Sequence, residues 1–198
     1  MSEPRTIGIL LFDDVEELDA VGPWEVLAYW TREFPDDGYC VITMAATDQP
    51  VTAAKGLRML AEVTVAEAPP LEVLIYPGGR GTRVHLKDEA QLQWVRDQAA
   101  TVPLMTSVCT GSLVYAAAGI LAGRPATTHW GSLDLLAELD PSIRVDPDAR
   151  FVEDGDVITS SGVSAGIDMA LRLVERLSST ERAREVRRGI QYDPKPPV

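Results

Sequence analysis

The 198-residue chain sets 18 basic against 30 acidic side chains, a net charge of −12, and 45% of its residues are apolar. That length suits one domain over 1–198 with a sizeable core, and the ordinary apolar share excludes a disordered or fibrous chain. The acidic excess repels phosphate backbones and anionic lipid, so no nucleic acid and no membrane partner is expected, and no run approaches the roughly 18 apolar residues of a spanning helix.

The opening MSEPRTIGILLF places Glu3 before a short apolar run and lacks a cationic segment, so it does not read as a secretion signal. A cytoplasmic location with reduced thiols is therefore expected. Thr6 to Phe12 is a first strand covered on both faces. A loop carrying Asp13, Asp14, Glu16, Glu17 and Asp19 follows, and Gly22-Pro23 is expected to open a helix with Trp24, Leu27 and Ala28 at helical spacing.

The Asp37-Gly38 turn leads into a second buried strand, YCVITMAA, and LRMLAEVTV has the alternation of outlying sheet segments. Val73 to Tyr76 forms a strand running into Pro77-Gly78-Gly79-Arg80-Gly81, and Asp88 to Ala100 an amphipathic helix with Leu92 and Val95 inward. Pro103 to Val108 is a strand and Thr110 to Ala118 a helix, with Cys109 at their junction. A short strand at Ala126 to Thr128, a helix at Trp130 to Leu139, a hairpin turning at Asp154-Gly155, and helices at Gly166 to Leu177 and Thr180 to Arg188 complete the chain. The tail YDPKPPV is too short to be a module. Alternating strands and helices imply an α/β doubly wound, mostly parallel sheet with helices on both faces and sites beyond the strands' carboxyl ends.

Three loops meet that placement: the acidic loop, the glycine loop at Pro77 to Gly81, and the turn at Cys109. A cysteine at a helix start feels free N–H groups and the positive dipole end, which favours thiolate. Ser107-x-Cys109-x-Gly111 has the small-nucleophile-small pattern of a nucleophile elbow. Cys40, inside a strand, reads as structural. The glycine loop lacks the spacing of a dinucleotide or phosphate loop. It can present N–H groups to an oxyanion, with the Thr110 amide as a second donor, although a tight turn accounts for its glycines equally well. Of two histidines, His85 in VHLKDE reads as a surface residue, and His129 is the one imidazole placed near Cys109. Among the five acidic residues, Asp19 has the least polar neighbours, and a partly desolvated carboxyl of raised pKa suits proton donation near neutral pH.

On LDAVGPWEVL, PGGRG, TSVCTGSLVYAAAGILAGRPATTHW, SGVSAGID and QYDPKPP, the chain resembles the ThiJ/PfpI superfamily over essentially its whole length, and within it the isocyanide hydratases. The Cys-Thr-Gly block and Thr-Thr-His-Trp also occur in amidase-like domains fused to helix-turn-helix regulators. The resemblance implies a flavodoxin-like, glutamine-amidotransferase-like fold. It implies Cys109 as nucleophile, Asp19 as acidic partner, Gly79 and Thr110 as backbone oxyanion donors, and Arg80, His129, Trp130 and Val163 about the pocket. It further implies hydration of a small-molecule isocyanide without metal or organic cofactor, in a homodimer. Thr110, where peptidase-like members carry histidine, disfavours proteolysis. Gly131-Ser132 and Arg80 depart from the hydratase pattern and place substrate specificity in doubt. The rival readings are another enzyme of the superfamily, an amidase or aldehyde-adduct hydrolase, and a non-catalytic redox or ligand sensor built on Cys109.

Overall fold

The computed structural model describes residues 3–194; Met1 and Ser2 of the opening segment and the tail from Lys195 to Val198 lie outside them. Strand β1 (Arg5–Leu11) sends Ile7, Ile9 and Leu11 into one core and Leu10 into another, the period-two partition of a strand covered on both faces. Helix α1 (Glu17–Glu33) is followed by β2 (Tyr39–Ala45), the short hairpin strands β3 (Val51–Thr52) and β4 (Arg58–Met59), and β5 (Val63–Thr64). Next come β6 (Leu71–Tyr76), a one-turn α2 (Thr82–His85) and α3 (Glu89–Ala99), whose N-cap Asp88 accepts from the N–H groups of Ala90 and Gln91.

Strand β7 (Leu104–Val108) leads into α4 (Gly111–Ala117), β8 (Pro125–Ala126), a 3-10 turn at Trp130–Ser132, α5 (Leu133–Leu139) and β9 (Arg144–Val145). The chain closes with the β10 (Phe151–Asp154) and β11 (Val157–Ser160) hairpin, α6 (Ala165–Leu177) and α7 (Thr180–Gly189). Seven strands form one sheet in the order β10, β11, β7, β6, β1, β2, β5. Every pairing is parallel except the β10–β11 hairpin. Trp30, Leu27, Met169 and Leu173 bring α1 and α6 onto one face, while Leu92, Val95, Leu113 and Leu136 bring α3, α4 and α5 onto the other. The expected doubly wound, flavodoxin-like sheet is present. Among the described residues, no helix is long and apolar enough to cross a membrane.

Two local expectations are corrected. Helix α1 begins at Glu17, so Asp19 lies in its first turn and Pro23 inside it. An interior proline removes the bond its N–H would give to the carbonyl four residues back, here that of Asp19, at a cost of about 3 kcal/mol. Burial of Ala20 and Pro23 itself, with Val26, Leu27 and Trp30 beyond them, offsets that loss, and Gly22 lets Ile167 of α6 approach closely. His85, expected at the surface, turns inward against Phe12 with ring centroids 4.6 Å apart, and its Nδ1 lies 2.6 Å from the Tyr76 hydroxyl. Burial lowers its pKa and favours the neutral ring.

Candidate active site

Strands β7, β6 and β1 are adjacent and parallel, so their carboxyl ends emerge side by side. The turn at Cys109, the glycine loop and the segment leading to Asp19 therefore converge, as anticipated. The latter two are laced together: Glu16 N–H donates to the Gly78 carbonyl at 2.9 Å, and Val15 bridges to Gly79. Gly79 has φ 124°, and a Cβ there would lie 2.3 Å from the Asp14 carbonyl, so both conformation and space demand glycine.

Cys109 has φ 56°, a left-handed conformation that costs a non-glycine residue roughly 1–3 kcal/mol. Four backbone contacts hold it. Its N–H donates toward the carbonyls of Ser160 and Ser161 at 3.1 and 3.3 Å. Its carbonyl accepts from Thr128 Oγ1 at 2.9 Å and Ser112 Oγ at 3.1 Å. The N–H groups of Thr110 and Val163 point at its sulfur, and Val163 itself has φ 51°. Gly111 is required because a Cβ there would sit 2.1 Å from the Tyr76 carbonyl, where α4 passes the end of β6. Gly111→Ala is expected to destabilise the chain by about 3 kcal/mol or more, read as a lowered urea midpoint at unchanged slope.

Asp19 is fully buried, and its Oδ2 accepts from Gly78 N–H at 3.0 Å while Oδ1 has no hydrogen-bond partner within ordinary distance. Burial dominates its titration and raises the carboxyl to about 7, against the lowering effect of the Gly78 N–H and the Cys109 thiol. The thiolate expected at Cys109 is reversed for the same reason. Burial first, and then the Asp19 charge beside it, push the thiol up to about 12, outweighing the two backbone N–H groups. Near neutral pH the sulfur therefore keeps its proton, while the Asp19 carboxyl beside it is about half ionised.

The expected oxyanion donors are engaged within the protein. Gly79 N–H donates to Thr110 Oγ1 at 3.0 Å, and Thr110 N–H is directed at the Cys109 sulfur. Thr82 Oγ1, which sequence reasoning missed, joins this group by donating to the Gly79 carbonyl at 2.7 Å and lying 3.2 Å from Thr110 Oγ1.

Above the thiol opens a cleft of about 310 Å³ lined by Glu16, Lys55, Arg80, Arg83, His129 and Val163 among others. Arg80, His129 and Val163 are where the sequence placed them. Trp130 is not: it is 79% exposed and lies outside the cleft, its ring beside that of His129. The correction follows from the 3-10 turn, which turns His129 onto Gly162, where a Cβ would approach the imidazole to 2.3 Å, and leaves the indole outside. Lys55 and Arg83 were missed because they arrive from a hairpin and a short helix remote in sequence. Arg83 follows Arg80 by three positions, the only signal available. Among the described residues, no three His, Cys, Asp or Glu side chains are grouped to hold a metal ion.

Isonitrile hydratase of Pseudomonas putida is 41% identical over 191 residues, covering 96% of this chain and 80% of that one. HTH-type transcriptional regulator GbdR of Pseudomonas aeruginosa is 29% identical over 187 residues, 94% of this chain but 49% of the regulator. The crystal structure of a ThiJ/PfpI family protein from Pseudomonas syringae superposes with a TM-score of 0.87 at 34% identity, covering 100% of this chain and 78% of that one. The model of the DJ-1/PfpI family matches residues 5–176, and with that match the chain belongs to the DJ-1/PfpI family.

Proposed function

We propose that this protein is an isocyanide hydratase, converting an isocyanide and water to an N-substituted formamide. The observation that carries the reading is the pairing of the Cys109 thiol with the buried Asp19 carboxyl, whose Oδ1 is unpartnered. Similarity to an isonitrile hydratase across nearly the whole chain supports it.

In the proposed mechanism Asp19 carboxylate takes the thiol proton, and the thiolate, stabilised by the Thr110 and Val163 N–H groups, attacks the terminal carbon of the isocyanide. One S–C bond forms, and Asp19 returns the proton to that same carbon, giving a thioimidate, R–N=CH–S–Cys109. Water adds across the C=N bond, and collapse of the adduct breaks the C–S bond, releasing R–NH–CHO and restoring the thiol. Negative charge develops on carbon in the first addition, so the engagement of Gly79 N–H with Thr110 does not obstruct it. An amidase, whose charge develops on oxygen, needs those donors free at that step.

Purified protein mixed with small alkyl and aryl isocyanides is expected to produce the matching formamides, followed by the formyl proton in NMR. No turnover across a varied set of isocyanides would overturn the hydratase reading. A homodimer in the cytoplasm, with no cofactor, remains part of the proposal.

A further inference from the structure

The cleft above Cys109 is lined by four charged side chains, and they are unevenly matched. Lys55 is ion-paired with Glu16 and, at 3.4 Å, with Glu17. Arg80 and Arg83 make no ion pair among the described residues, and of the arginines without one they are the two that line this cleft. Arg83 is nevertheless held in place. Its Nη1 donates to Thr82 Oγ1 at 3.0 Å and toward the Gly79 carbonyl at 3.4 Å, and its Nη2 donates to Ser132 Oγ at 3.1 Å. All three acceptors are neutral, so the guanidinium is positioned without being neutralised, and a fork with five N–H donors keeps others for a ligand.

Two uncompensated cations therefore flank one small cleft of a protein whose net charge is −12. Resting on the hydratase reading, we infer that the substrate is an anionic isocyanide, of the isocyano-carboxylate class. Its carboxylate sits on Arg83 and Arg80 while its terminal carbon reaches the Cys109 sulfur. Ser132 orients Arg83, and the chain's departures from the hydratase pattern at Arg80 and Gly131-Ser132 then form one specificity device.

Two measurements test this separately from the reading it rests on. The first compares alkylation of Cys109 by iodoacetate and by its neutral counterpart iodoacetamide; each forms an S–C bond, breaks the C–I bond, and releases iodide and the thiol proton. In Arg83→Gln and Arg80→Gln the iodoacetate-to-iodoacetamide rate ratio is expected to fall about two- to fivefold from that of the native chain, the worth of a well-placed cation at a partly exposed site. The second compares kcat/KM for isocyanoacetate and its methyl ester: the native chain favours the acid, and the preference shrinks by a similar factor in both variants. A reagent ratio unchanged by both substitutions, or native turnover that favours the ester, overturns the inference. A falling reagent ratio with no turnover of these two or of the varied alkyl and aryl isocyanides upholds the anion seat and defeats the hydratase reading.

Discussion

Cys109→Ala is expected to lower kcat/KM for isocyanide hydration by more than about 10⁴-fold, with the fold intact, because removal of a covalent nucleophile leaves only binding and positioning. The geometry of the turn sets that magnitude. The sulfur is supported by the Thr110 and Val163 N–H groups and faces a single carboxyl. A water molecule taking its place would meet the same base without the covalent intermediate. Alanine also keeps the left-handed backbone without extra steric demand, so the far-ultraviolet spectrum and urea midpoint are expected to change little. Formamide production by Cys109→Ala at the native rate would defeat the mechanism, while Cys109→Ser is expected to retain little activity because its hydroxyl surrenders a proton less readily than the thiol.

Asp19→Asn is expected to separate activity from stability. Turnover should fall about 10²- to 10⁴-fold, the usual worth of a positioned acid–base group. In the native chain kcat/KM should rise with pH up to about 7 and then level off, since below that value Asp19 holds its own proton and cannot accept the thiol's. That limb should be absent from the residual activity of Asp19→Asn. Stability runs the other way. A carboxyl raised from 3.8 to about 7 holds its proton more tightly in the folded chain than in the unfolded one. The stability it contributes is present below the unfolded value and is lost as pH rises through the folded one, a fall of about 4 kcal/mol over the full window. The amide has no such dependence. Between pH 5 and pH 8, urea unfolding of the native chain should therefore lose about 2.5 kcal/mol relative to Asp19→Asn. Parallel stability curves for the two chains would show that Asp19 ionises as an ordinary surface aspartate.

The sheet was readable because its strands are unbroken apolar runs, as in Thr6 to Phe12 and Val73 to Tyr76, each followed by an amphipathic helix. Cys109 was readable because a nucleophile turn demands small neighbours, and Gly111 satisfies a clash that involves the backbone alone. The start of α1 was misread because Gly22-Pro23 is a strong local stop, and only the burial around Asp19 overrides it. Periodicity singles out none of the five acidic residues before α1; the resemblance pointed to Asp19, and its burial distinguishes it from the rest. Thiolate character was misjudged because a helix start is visible in sequence while burial is not. The roles of His85, Lys55 and Arg83 depend on Tyr76, Glu16 and Ser132, contacts that no local pattern encodes.

The backbone of Cys109 is tied to Ser112, Thr128, Ser160 and Ser161, and its sulfur to Val163. All of these attachments lie downstream in the chain, and the last is 54 positions away. During synthesis Cys109 is therefore an ordinary, solvated thiol until the β10–β11 hairpin has docked beside β7. The placement of this sulfur beside Asp19 is a late product of folding, and a chain arrested before that step carries the cysteine without its base.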